Sequence, residues 1–400
     1  MEKDVTIIGI DGGATKVSAW NVIYDEATSG FALGEINVQK SYREIPGFIP
    51  DFKPVELSIQ LKENEQNDIR PTKDEEQQAA VYVEACAQVV EEMVKRTGQS
   101  RILIGIGMPG IKTADKRGIA VVANGPRMLN YAEHLEGRLS IKRIELARPI
   151  AHIGSDADYC GIGENYAAEG AFRPINNGYY LGGGTGVADA LKLDGKLLPF
   201  DQTKSWLAKS WEMKTESGIS LEKFASAGGI QSLYAQQAGQ SVEQLNQDGI
   251  YPLQIARMAA DGDANARQTF KMVADSLSML LFERITTLFA GWQGFFSFVN
   301  PNRAPLSDQH PYLGKLFDRL VIGQRLGELF DSPGGQEVLR APVLEKLKHS
   351  IETSAILSDD AKAHYANLDK IVITSRLREA PALGAGIDAV LAAGWLNETV

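Results

Sequence analysis

The sequence predicts an α/β protein of two domains, with mixed sheets flanked by helices. Three observations lead there. A chain of 400 residues exceeds what one hydrophobic core usually holds. Short apolar runs of strand length alternate with runs whose apolar residues recur every three or four positions. Two stretches, 7–20 and 179–196, each read as strand, glycine–threonine turn and returning strand, which suggests a duplicated unit.

The first hairpin, IIGIDGGATKVSAW, enters through Ile7, Ile8 and Ile10, turns through Asp11, Gly12, Gly13, Ala14, Thr15 and Lys16, and returns through Val17, Ala19 and Trp20. A turn this free of bulk offers bare N–H groups to a ligand, and the diffuse negative charge of a phosphate suits them. Asp11 ends an apolar strand, where an ionised carboxylate is costly unless hydrogen bonds or a cation meet it. A nucleotide-borne Mg²⁺, reached through water, is the natural cation. A strand follows the glycines instead of a helix, which excludes a Walker A loop, and no G-x-G-x-x-G is present here. Lys16 reads equally as a neutraliser of phosphate charge or as a solvated strand residue.

Residues 21–44 continue as strands. Residues 46–73 carry four prolines and the charged run KENEQND, and read as a long surface excursion. Residues 74–97 predict a helix, with Ala79, Val83, Cys86, Val90 and Met93 on one face and acidic residues in the first turn. The run ILIGIGM (102–108) is a buried strand. It is followed by a short strand at 118–123 and the turn Asn124-Gly125-Pro126-Arg127-Met128, in which Asn124 and Arg127 are either turn residues or ligand contacts. Residues 139–146 have both helix and strand character. A strand at 149–153 leads to Ser155 and Asp156, and a helix is expected over 158–172 with Glu164 near its middle. Asp156 at a strand-to-helix junction is a helix cap on one reading and a catalytic carboxylate on the other.

The second hairpin, YYLGGGTGVADALKLDGK, places Gly182, Gly183, Gly184, Thr185 and Gly186 at its tip. Alone it is equally an ordinary glycine-rich hairpin. Paired with the first it suggests one polyphosphate gripped from two sides. Beyond it lie two helices over 255–291, an insertion at 294–318, a strand at 319–322 that breaks at Gly323-Gln324, a strand at 371–373 and a helix over 382–395.

Composition bounds the chemistry. A net charge of −10 and a pI near 5.2 predict repulsion from nucleic acid and anionic membranes. No apolar run approaches a membrane span, and the N-terminus lacks signal-peptide form. Two cysteines, Cys86 and Cys160, make neither a disulfide framework nor a cysteine zinc site. A cytoplasmic protein is expected.

In order and spacing, these motifs resemble the repressor–ORF–kinase (ROK) family of sugar kinases, within the actin-like/hexokinase ATPase superfamily of ribonuclease H-like folds. Asp11, Gly13, Thr15 and Lys16 resemble the family's first phosphate motif. Asp156 with Glu164 resembles its NDAN…GE segment, and Gly184-Thr185-Gly186 its second phosphate motif. SGISLEKFAS aligns Glu222 with a sugar-binding glutamate, and VIGQRLG places Gly323 and Gln324 at the adenosine motif. The resemblance implies a kinase that uses ATP and Mg²⁺, with Asp156 as base and Ser155, Glu222, Arg127, Asn124 and Glu164 around the sugar. The phosphates would fall to Asp11, Gly12, Gly13, Thr15, Lys16, Gly183, Gly184, Thr185 and Gly186. It also implies two actin-like domains, 1–150 (with 382–400 packing back) and 151–381, a cleft between them, and a homodimer. Ser155 replaces the family's asparagine, and Ala188-Asp189-Ala190 replaces three glycines. The zinc-binding His/Cys cluster is missing, so no structural zinc is expected. A non-catalytic sugar sensor and an actin-like ATPase acting on a protein are the rival readings. A DNA-binding helix-turn-helix is not expected, since the first strand starts near Met1.

Overall fold

The computed structural model describes residues 4–396, in two compact units: residues 1–168 with 379–400, and residues 169–378. Residues 397–400 of the expected C-terminal segment lie outside the described residues.

In the first unit, β1 (Thr6–Gly12), β2 (Lys16–Asp25) and β3 (Gly30–Ser41) form an antiparallel meander. The chain crosses over through α1 (Leu57–Glu65) and α2 (Lys73–Thr97) to β4 (Arg101–Gly107), which lies parallel to β1. A small ribbon of β5 (Ile111–Lys112) and β6 (Ile119–Val121) follows, then α3 (Tyr131–Ile141). Next, β7 (Glu145–Leu146) and β8 (Ile153–Gly154) both pair with β4, and α4 (Asp156–Tyr166) leaves from β8. The sheet order is β3-β2-β1-β4-β7.

Ile8, Ile10, Ile104 and Ile106 pack with Val83, Cys86, Val90 and Met93 of α2. On the opposite face Gly9 pairs with Gly105, and the C-terminal helix (Ala380–Ala392) lies directly on both. A β-carbon at Gly9 would come within 1.8 Å of the Ala382 carbonyl oxygen, and one at Gly105 equally close to that of Ala385. Side chains at these two positions would push the helix off the sheet.

The second unit repeats the topology. β9 (Gly178–Gly183), β10 (Val187–Leu193) and β11 (Lys196–Leu198) form a meander, and the sheet order is β11-β10-β9-β14-β15. Here β12 (Met213–Lys214) and β13 (Ser297–Phe298) are a separate ribbon, and β14 (Arg319–Gly323) and β15 (Val372–Thr374) run parallel to β9. Between β12 and β13 come α5 (Glu222–Ala225), α6 (Ala227–Ala238), α7 (Val242–Gln247), α8 (Pro252–Ala260) and the long α9 (Ala264–Ala290). After β14 the chain enters α10 (Gln324–Asp331). A meander followed by parallel strands in the same order in both units is the duplication that the paired hairpins suggested.

Several expectations need correction. The junction expected at 150/151 falls at 168/169, because β8 adds to the first sheet and the Ala168 N–H bonds the Phe31 carbonyl at the far end of α4. The excursion at 46–73 contains α1, held by Gln60, whose buried amide exchanges hydrogen bonds with both backbone groups of Val122. The ambiguous 139–146 resolves into the end of α3, a turn, and β7. The helix expected at 158–172 spans Asp156–Tyr166, because Ser155 caps it two residues earlier than expected and Ala167 is extended.

Candidate active site

Register brings the first unit's carboxylates together. Gly107 of β4 stands opposite Asp11 of β1 on one side and Gly154 of β8 on the other. The ends of three parallel strands are thus in one row, and ligands of open α/β sheets bind at such ends. The chain leaves β8 through Ser155, whose hydroxyl accepts from the Ala157 N–H at 3.2 Å. Asp156 is therefore the first residue of α4, and its Oδ1 also accepts from Ala157 at 3.0 Å. Ser155 takes the capping role, and its hydroxyl already has a backbone partner.

Burial pushes the Asp11 carboxyl up to about 7, with the charges of Asp156 and then Glu379 adding to the rise and Lys16 opposing it. Glu379 immediately precedes the C-terminal helix, and no motif in the sequence singled it out. A cation would offset both the burial of this carboxyl and the charge of its neighbours. All-oxygen donors suit a hard ion such as Mg²⁺. Among the described residues no group of three or more His, Cys, Asp or Glu side chains is arranged to hold a metal ion.

The β1–β2 turn lies beside this row. Gly13 N–H bonds the Lys16 carbonyl, and the Tyr82 hydroxyl on α2 donates to the Ala14 carbonyl at 2.8 Å. Thr15 is exposed at the tip. Lys16 extends to Gln39 on β3 at 2.9 Å, with Asp11 still within its electrostatic reach. Asn124 is exposed, and with Gly12, Gly13, Met108 and Pro109 it lines a cavity of about 10 Å³.

Arg127 does not join this group. It is 2% exposed, and its Nε and Nη2 each donate to Glu75 at 2.7 Å, while Glu63 and the Arg70 carbonyl take its remaining donors. The cationic fork expected for a ligand is spent on pinning α1 and α2 to the turn after β6. Glu164 is likewise fully buried, on α4.

In the second unit the β9–β10 turn is equally built for its glycines. A β-carbon at Gly183 would meet the Ala225 carbonyl oxygen at 2.3 Å. At Gly184 it would meet the Gln324 carboxamide oxygen, and at Gly186 a Glu222 carboxylate oxygen, each at 2.7 Å. Glu222 accepts from the Val187 N–H at 3.3 Å and so braces the turn. Thr185 is exposed at the tip. Gly323 pairs with Gly182, and Gln324 follows in the left-handed region (φ 56°), uncommon for a residue with a side chain. Turn, Glu222, Gly323 and Gln324 thus share one locality.

Behind the turn, Asp189, which stands where the family has glycine, is 2% exposed. It accepts from the Tyr179 hydroxyl and Ser210 hydroxyl at 2.6 Å each and from Ser210 N–H at 3.0 Å, with Arg284 at 3.6 Å. Sequence reading missed this network. Its one signal was Glu283-Arg284 within the apolar stripe of α9.

No protein-family model matches the sequence, and no curated protein matches it. Solved structures do. The fold is the α/β fold taken by solved ROK family proteins, matched over nearly the whole chain. A ROK family glucokinase from Streptomyces griseus, solved with glucose and AMPPNP, is 15% identical with a TM-score of 0.57, covering 96% of this chain and 98% of that one. A ROK hexokinase from Thermus thermophilus is 16% identical with a TM-score of 0.55, covering 98% of this chain and 100% of the other. A ROK family transcriptional regulator, a homologue of the E. coli MLC protein, is 12% identical with a TM-score of 0.55, covering 98% of this chain and 79% of its own. Among the described residues no helix is long and apolar enough to cross a membrane.

Proposed function

We propose that the chain is a divergent ROK family sugar kinase that transfers a phosphoryl group from ATP to a sugar hydroxyl. The observation that carries this reading is the pairing of Asp11 and Asp156 at neighbouring strand ends beside a glycine–threonine turn. Phosphoryl transfer needs positioning, charge neutralisation and a carboxylate to take the hydroxyl proton. Asp156, in the first turn of α4, serves as that base. Asp11 would hold a hydrated Mg²⁺, which would supply neutralisation of phosphate charge. The N–H groups of Gly12, Gly183 and Gly186 and the hydroxyls of Thr15 and Thr185 are the phosphate donors, while Gly13 and Gly184, whose N–H groups bond the Lys16 and Gly186 carbonyls, keep their turns tight for the phosphate. Gly323 and Gln324 are placed on the nucleoside side, and Asn124 on the acceptor side. Glu222 either binds a sugar hydroxyl or remains the brace of its turn. The likeness to glucose- and nucleotide-bound glucokinase supports the substrate classes. The expected homodimer belongs to the same reading.

The test is ADP release by the purified chain with ATP, Mg²⁺ and a panel of hexoses and hexosamines. Sugar-dependent turnover above the ATP-only rate is expected. Nucleotide binding without sugar-dependent turnover would favour the sensor reading. ATPase activity indifferent to every sugar would favour an ATPase acting on another protein.

A further inference from the structure

The first unit holds a second cavity whose lining includes none of the residues assigned above. It measures about 230 Å³, and its walls come from β4, from the segment 148–152 and from the last turns of the C-terminal helix. Leu103, Pro149, Ala389 and Ala392 supply apolar surface, and Arg148, His152 and Asp388 supply charge. His152 Nε2 lies 2.6 Å from Asp388 Oδ2, which also accepts from the Tyr159 hydroxyl at 3.1 Å. Asp388 is therefore engaged twice within the protein. Arg148 is exposed, and its guanidinium makes a long hydrogen bond of 3.4 Å to the neighbouring Ala147 carbonyl. Lys116 lies within electrostatic reach of His152. On a chain of net charge −10, this corner gathers Arg148, Lys116 and a histidine against one acid that the histidine already offsets. The helix C-terminus would disfavour an anion, but the Ala389, Val390 and Leu391 carbonyls are taken by the N–H groups of Ala393, Trp395 and Gly394.

We propose that this cavity binds a small aliphatic carboxylate, its charged end on Arg148 and His152 and its hydrocarbon against Leu103, Pro149, Ala389 and Ala392. The guanidinium fork matches the plane of a carboxylate. The volume equals about seven or eight waters at ~30 Å³ each, which suits a short branched chain. Inorganic phosphate would leave the apolar walls wet and bring more negative charge towards Asp388. The raised pKa of His152, due first to its hydrogen bond with Asp388, keeps the imidazole a donor further up the pH scale.

The experiment is calorimetric titration of the full chain with isovalerate, its uncharged counterpart 3-methylbutan-1-ol, and inorganic phosphate, with no nucleotide or sugar present. Isovalerate is expected to bind at one site, with the alcohol and phosphate each weaker by about tenfold or more, the scale of one charged hydrogen bond. Arg148→Gln should weaken isovalerate by about tenfold, and Ala392→Phe should abolish binding by filling the mouth. Both positions are exposed, so both variants should fold, and unchanged circular dichroism melting confirms it. Absence of heat with isovalerate at about 20 mM on folded protein overturns the proposal. So does equal binding of the alcohol or phosphate, or an Arg148→Gln variant that binds as the wild type does. None of these outcomes depends on whether the chain phosphorylates a sugar.

Discussion

Asp11 should make the protein less stable as pH rises. Its folded pKa is about 7, against an ordinary value of 3.8. Below the unfolded value both states hold the proton, and the group favours neither. As pH rises above it, the unfolded carboxyl ionises freely while the folded one, buried beside Asp156 and Glu379, does not. Stability therefore falls by about 1.4 kcal/mol per pH unit until the folded group titrates, then levels off. The loss is about 2 kcal/mol at pH 5 and about 4 kcal/mol at pH 8. Asp11→Asn removes this penalty. In urea unfolding with EDTA present, the variant's advantage over the wild type should be about 2–3 kcal/mol larger at pH 8 than at pH 5. An advantage that stays flat across this range, or one that shrinks, would refute the account of Asp11 as a carboxyl crowded by other carboxylates. If Asp11 carries hydrated Mg²⁺, adding Mg²⁺ and nucleotide at pH 8 should narrow the gap.

Asp156→Asn should keep nucleotide binding and lower kcat by roughly two to four orders of magnitude, measured as sugar-dependent ADP release; near-normal turnover would return Asp156 to a purely structural place in α4. Glu75→Ala leaves Arg127 buried without its bidentate partner and should cost about 3–5 kcal/mol in urea unfolding, whereas a loss below about 1 kcal/mol would show that the pair is solvated. Gly9→Ala should destabilise by at least about 1–3 kcal/mol and lower Tm, since its methyl has no place under Ala382; an unchanged Tm would mean that the C-terminal helix does not sit on the sheet.

Where the fold was legible in the sequence, local chemistry and tertiary packing agree. Ile8 and Ile10 alternate with Gly9, so one face of β1 meets α2 and the other meets a helix backbone. The Thr72–Glu75 capping box marks the start of α2 as clearly as its apolar stripe marks its face. α1 was illegible because its burial is inverted: Leu57, Ile59 and Leu61 are exposed while Gln60 is fully buried. No amphipathic rule finds such a helix. Arg127 was misread because Gly125 and Pro126 mark a turn and turns are usually exposed, whereas its partners Glu63 and Glu75 come from distant parts of the chain. In the site, glycine turns and strand ends were readable as patterns. The meeting of Asp11, Asp156 and Glu379 depends on parallel register and on a helix at the far end of the sequence, which no local window contains. For the same reason Asp189 looked like a defect in a glycine motif, although Tyr179, Ser210 and Arg284 make it a buried anchor.

These placements also revise what acceptor the site should favour. Arg127, which the family resemblance put around the sugar, would have offered an acidic acceptor a cationic fork, and that fork is committed to Glu75 and Glu63. The charged groups that do act on Asp11 are Asp156 and Glu379, opposed by Lys16 alone, which is bonded to Gln39. A sugar carboxylate brought to Asp156 would thus meet two acids and one partly engaged cation. Like charges a few ångströms apart cost roughly 1–4 kcal/mol at effective dielectric constants between those of water and a protein surface. That range corresponds to about five- to several-hundred-fold in kcat/KM. Neutral hexoses or N-acetylated hexosamines should therefore be preferred to hexuronates by at least about fivefold at low ionic strength, with the gap narrowing as salt screens the repulsion. Ser155, short and already bonded to the Ala157 N–H, leaves a sugar hydroxyl near it to be met through water, which tolerates a substituent better than a direct contact would. Measuring kcat/KM for glucose, N-acetylglucosamine and glucuronate at two salt concentrations tests this directly. A preference for glucuronate would mean that a cation outside the set around Asp11 reaches the acceptor, and the charge argument would fail.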